Sequence, residues 1–188
     1  MSVVLTKNPM DALYNEFKEK AEAISAEVHR VADVKAAREL VTKIIKELGT
    51  NKVVYAPSEL TQSIDVQAIG KDAGVEMTSE NLRQNAADAG LGISQLDYAI
   101  AEIGTLVGNA TSIESRMVSI LPPVHVALVR TANILPNLLE TIALYNNKLG
   151  ELPRYLTFVT GPSRTSDIER VLTIGVHGPG RLIIVFID

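Results

Sequence analysis

The chain has 188 residues, 46% of them hydrophobic and 21% charged, with a formal net charge of −4 and no cysteine. That length suits one domain with a substantial core. The acidic balance without a basic block excludes general nucleic-acid binding, an aromatic content of 4% without Trp excludes base-stacking platforms, and the missing cysteine excludes disulfides, thiolate-bound zinc, iron–sulfur ligation by this chain and a Cys nucleophile.

The first nine residues lack the basic-then-apolar layout of a signal peptide, and no apolar run nears the ~20 residues that span a bilayer. The expectation is a cytoplasmic protein with no membrane partner. Met10, Leu13, Tyr14, Phe17, Ala21, Ile24, Val28 and Val31 recur at three- and four-residue steps, which predicts one amphipathic helix over 10–31. It packs on its own domain or, because the stripe is nearly a heptad seam, on a second copy in a homo-oligomer. His29 lies off the stripe and reads as a surface histidine.

Asp33 can cap a second helix that buries Val34, Ala37, Val41, Ile44, Ile45 and Leu48 and ends at Gly49. Residues 1–50 thus form a helical region packing on or extending a domain over 51–188, a single domain overall. Lys52–Ala56 reads as a strand closed by Pro57, followed by a loop and short helix over 60–69 and an extended piece at 75–77. Thr78 or Ser79 caps a helix through Leu82 and Ala86, which Gly90 stops. Residues 92–97 have turn chemistry.

Tyr98–Gly108 reads as two short strands meeting at Gly104, with Glu102 its one ionisable group. A buried carboxylate is costly unless paired or open to a cleft, so Glu102 is either functional or hydrogen-bonded to a loop N–H or a basic side chain. Residues 109–120 predict a loop and one helical turn. Val124–Val129 is a buried-type strand holding His125, for which a neutral, hydrogen-bonded core histidine weighs against a catalytic one. A helix starts after Pro136 and runs to Gly150.

Tyr155–Val159 predicts a strand that stops at Gly161-Pro162, and Ser166-x-x-Glu169 is a capping box that opens a helix. Backbone N–H groups at Ser163–Thr165, with the Arg164 guanidinium, suit a carboxylate or phosphate; the alternative is a well-capped turn with Arg164 in solvent. Val176–Gly180 is a sharp turn and Arg181–Ile187 a strand covered on both faces. Strands alternating with helices predict a three-layer α/β fold, a mostly parallel twisted sheet with helices on both faces. Ligands in such sheets gather beyond the strand carboxyl ends, where Glu102 and Gly161–Arg164 are both expected. The three histidines have no metal-ligand spacing, and phosphate-loop and nucleophile-elbow motifs are absent.

Ala99–Val107, Arg116 followed by Leu121-Pro122-Pro123-Val124-His125-Val126, Tyr155–Glu169 with its Gly161-Pro162-Ser163-Arg164-Thr165-Ser166-Asp167-Ile168-Glu169 core, and Gly175-Val176-His177-Gly178-Pro179 stand in an order that resembles the lactate-utilisation protein C family, which carries the LUD domain. The resemblance covers residues 90–188 well and the first half loosely. It implies a fold like that of ribose-5-phosphate isomerase, glucosamine-6-phosphate deaminase and the CoA transferases. It also implies a subunit or accessory protein of bacterial L-lactate oxidation to pyruvate, with iron–sulfur partner subunits and no cofactor bound by this chain. The site it suggests holds a small anionic metabolite with Gly104, Thr105, Arg116, Gly161, Pro162, Ser163, Arg164, Thr165 and His177, and handles a proton with Glu102 or His125. Ile103 and residues 109–115 depart from the family pattern. The alternatives are a non-catalytic partner-binding or regulatory protein and, by fold analogy, an acyl- or CoA-transferase with Glu102 as nucleophile.

Overall fold

A computed structural model describes residues 9–147, 152–165 and 173–188. In chain order the first half runs α1 (Pro9–Ala23), β1 (Glu27–Val31), α2 (Val34–Leu48), β2 (Lys52–Tyr55), α3 (Glu59–Ser63), α4 (Val66–Ala73), β3 (Glu76–Thr78), α5 (Leu82–Asp88) and β4 (Leu91–Gln95). The second half runs β5 (Tyr98–Ile100), a 3₁₀ turn over 101–103, β6 (Thr105–Asn109), α6 (Ile113–Ile120), β7 (Val124–Arg130), β8 (Ile134–Leu135), α7 (Leu138–Asn146), β9 (Leu156–Val159), β10 (Arg164–Thr165), β11 (Thr173–Ile174) and β12 (Arg181–Ile187).

Six strands form the central sheet in the order β1-β12-β7-β4-β2-β3, and every neighbouring pair is parallel. This is the expected α/β architecture. The last strand to be made, β12, sits between β1 and β7, and its residues 182–187 are all buried, as an apolar run covered on both faces requires. On one face α2, α3 and α4 pack on Val53, Leu91, Ile93, Val126, Leu128, Ile183 and Val185. On the other face lie α1, α5, α6 and a smaller sheet, β8-β5-β6-β9, whose β5–β6 and β6–β9 pairs are antiparallel.

Asp33 caps α2 through the Ala36 N–H and Gly49 closes it, as the sequence reading holds. The first helix is shorter than the expected 10–31. It ends at Ala23, and Ile24–Ala26 turn the chain into β1, which pairs residue for residue with 183–187 of β12. His29 accordingly stands in a strand, half-buried. Phe17 and Ala21 of α1 are buried on this molecule's own sheet, where the Phe17 ring meets Phe186 edge-on at 5.0 Å between centroids.

A second difference matters more for function. Turn chemistry is expected over residues 92–97, but 91–95 form β4 in the middle of the sheet, between β7 and β2. Leu91 and Ile93 face the α2 side, while Gly92 and Ser94 face α6. A Cβ on Gly92 would stand 2.0 Å from the Val118 carbonyl oxygen, so glycine is what lets α6 lie this close to the strand. Residues 109–120 likewise form more helix than expected, the two-turn α6, capped by Ser112 through the Ser115 N–H.

Candidate functional site

Where β4 ends, the small sheet and α6 leave a cavity of about 220 Å³ against the central sheet. Its floor is Ser94–Leu96, one wall is Ser115, Arg116, Ser119 and Ile120 of α6, and the other is Tyr155–Thr157 with Val159. Residues 115, 116, 119 and 120 share one helical face, which is why a single short helix supplies a whole wall. The volume is below the range usual for drug-sized ligands, which fits a small metabolite.

Arg116 is held in two ways. Its Nη1 donates to the Ala110 carbonyl at 2.8 Å, and its guanidinium carbon stands 5.1 Å from the centroid of the Tyr155 ring. Among the described residues one of its five donors is thereby used and the cation is oriented by the ring, which leaves the rest of the planar fork for an anion.

Beneath the floor lies His125, 1% exposed. It is the second residue of β7, lies between Gly92 and Leu182 in register, and shares its face with Ser94. Its Nε2 and the Ser94 hydroxyl are hydrogen-bonded at 2.8 Å. Burial pushes the imidazole pKa down to about 4, so the ring is neutral at physiological pH. Ser94 falls in the expected turn over 92–97 and is not among the expected site residues. Its signal was the alternation Leu91-Gly92-Ile93-Ser94, apolar to one face and small or polar to the other.

The other expected residues do not line this cavity. Glu102 is exposed in the 3₁₀ turn between β5 and β6, and its Oε2 accepts from the Leu138 N–H at 3.3 Å, at the start of α7. Gly104 takes φ +59 at the end of that turn, and a Cβ there would stand 2.5 Å from the Ala21 nitrogen of α1. Thr105 is buried and its hydroxyl bonds that of Thr160 at 2.9 Å. This bond ties the turn that carries Glu102 to the start of the Gly161–Arg164 corner.

The corner itself is built from the two signature segments. The Ser163 N–H donates to Pro179 O at 2.8 Å, the Gly175 N–H donates to Ser163 O at 2.9 Å, and Arg164 and Thr165 pair antiparallel with Ile174 and Thr173. Pro162 is buried, while Arg164 and His177 are exposed. Pro179 stands two residues before the start of β12, and the Arg181 N–H donates to Pro123 O ahead of β7. The corner therefore lies at the amino edge of the parallel sheet. Its expected place is the carboxyl rim; it is displaced because β9 belongs to the small sheet, where it pairs antiparallel with β6. The capping box Ser166-x-x-Glu169 lies outside the described residues.

Among the described residues no group of His, Asp and Glu is arranged to hold a metal ion, and no helix is long and apolar enough to cross a membrane.

The LUD domain family model matches residues 14–187. The chain belongs to the LUD domain family. Among relatives of this LUD domain chain, lactate utilization protein C 1 of Bacillus mycoides is 32% identical over 188 residues, covering 95% of this chain and 80% of that protein. Lactate utilization protein C of Halalkalibacterium halodurans is 27% identical, covering 98% of this chain and 83% of that protein. A crystal structure of a DUF162 family protein from Deinococcus radiodurans superposes with a TM-score of 0.63 at 21% identity, over 96% of this chain and 99% of that one. At that identity the likeness concerns the fold alone.

Proposed function

We propose that this LUD domain protein acts in lactate utilisation, as a subunit or accessory protein of L-lactate oxidation to pyruvate, and holds a small carboxylate in the cavity between β4, α6 and β9. The observation that carries the reading is Arg116, fixed by the Ala110 carbonyl and the Tyr155 ring on the wall of a cavity of about 220 Å³. The names of the relatives supply the metabolic setting. A carboxylate entering the cavity would take two charge-assisted N–H···O bonds from the guanidinium, the geometry in which arginine outperforms lysine.

Calorimetric titration with L-lactate, pyruvate and inorganic phosphate tests this on the wild type, Arg116→Ala and Arg164→Ala. Charge-assisted hydrogen bonds of about 1.5–3 kcal/mol predict a loss of roughly tenfold or more for Arg116→Ala. Arg164→Ala should bind as the wild type does. Loss in Arg164→Ala with Arg116→Ala unaffected would move the site to the Gly161–Thr165 corner with His177. No binding by the wild type would end the proposal.

A second reading is favoured by the exposure of that corner, where Ile174 and Val176 are each 52% exposed near Arg164 and His177. An apolar pair beside cationic or polar groups suits a protein contact, which for this setting means an iron–sulfur partner subunit. Co-purification with such subunits, lost in a Val176→Asp variant that still binds carboxylate, is its test; retention would rule out the corner as the contact.

A further inference from the structure

We infer that His125 is a positioning residue for the cavity, fixing the Ser94 hydroxyl so that it meets an oxygen on the ligand carbon next to the carboxylate. The inference rests on the carboxylate reading given above and adds what reads the other end of the ligand.

Three observations lead to it. Ser94 lines the cavity floor opposite the helix that carries Arg116. Among the described residues its hydroxyl has one hydrogen-bond partner, His125 Nε2 at 2.8 Å, and a hydroxyl with one donor and two acceptor positions has bonding capacity left for a ligand. His125 itself is 1% exposed and outside the cavity lining, so it acts on a ligand through a neighbour, and Ser94 is the lining residue it hydrogen-bonds.

The imidazole ring limits what the hydroxyl can do. A neutral ring nitrogen is either donor or acceptor. If Nε2–H donates, the Ser94 hydrogen is free to donate to a ligand carbonyl or hydroxyl oxygen. If Nε2 accepts, the Ser94 lone pairs face a ligand hydroxyl. In both cases a buried hydroxyl whose direction is set in advance favours a ligand with an oxygen at that place over one with a methylene. A site group left unpaired by the wrong ligand is a strong source of discrimination. The alternative is a serine that merely satisfies a core histidine.

The affinities of pyruvate, L-lactate and propionate separate the two, because propionate keeps the carboxylate and lacks the neighbouring oxygen. Titrations use the wild type, Ser94→Ala, His125→Leu and His125→Gln, whose amide can restore one hydrogen bond to Ser94. The wild type should prefer pyruvate or L-lactate over propionate by roughly tenfold. Ser94→Ala and His125→Leu should lose that preference while binding propionate no more weakly than the wild type, and His125→Gln should recover part of it. A preference unchanged in Ser94→Ala, or equal weakening of all three ligands, overturns the inference and leaves the carboxylate reading intact. Absence of binding of any of the three by the wild type overturns both.

Discussion

At the scale of single residues, His125 and Ser94 carry most of the physics. An imidazole buried among apolar strands resists protonation because the charged form loses its hydration, which is the cause of its pKa near 4. Unfolded, the same ring takes up a proton below about pH 6.5. The stability that neutral burial contributes is therefore fully present above about pH 6.5 and is lost as pH falls towards 4, by up to about 3 kcal/mol at 1.36 kcal/mol per pKa unit. Urea denaturation of the wild type and His125→Gln between pH 4.5 and 7.5 should show the wild type losing more stability on acidification. Curves that stay parallel would contradict the burial argument. Glu27 and Asp188, whose carboxyls Arg181 and Arg30 hold below the usual range through hydrogen bonds, also release stability in acid, but equally in both proteins. His125 was legible in the sequence as a core histidine. Ser94 was not, because Gly92 and Ser94 look like turn residues until α6 and the cavity are seen to need them.

At the scale of elements, the same kind of ambiguity decided where the first helix ends. The Ser25 N–H donates to Glu22 O at 3.0 Å and the Ala26 N–H to Ala21 O at 3.0 Å, a helix-terminating pair of bonds around a left-handed residue, Ser25, at φ 71. Glycine is the usual occupant of that position. With serine there, the apolar spacing runs unbroken into Val28 and Val31, and only pairing with β12 shows that those two belong to a strand. Ser25→Gly should raise the unfolding free energy by about 1 kcal/mol, the cost of a left-handed L-residue, measured by urea or thermal denaturation. A lower stability in the variant would mean that the serine has a role beyond the turn. Elements with explicit punctuation were readable: Asp33 and Gly49 around α2, and Gly104 between β5 and β6. Partners distant in sequence, such as β12 between β1 and β7, leave no local signal.

At the scale of the whole molecule, alternating strands and helices were enough to give the parallel sheet with helices on both faces. They were not enough to show that β5, β6, β8 and β9 leave that sheet and form a second one above it. That second sheet carries the Gly161–Arg164 corner away from the carboxyl rim and, together with α6, encloses a cavity beside the carboxyl end of β4. Arg116 lines the cavity, whereas Glu102 and Arg164, expected beside it in one site, stand outside that lining. A crystal structure of the protein soaked with L-lactate is the most direct measurement. The carboxylate should lie within about 3 Å of the Arg116 guanidinium, with the ligand hydroxyl on Ser94. Ligand bound instead at Arg164 and His177, with the cavity under α6 holding only water, would contradict it.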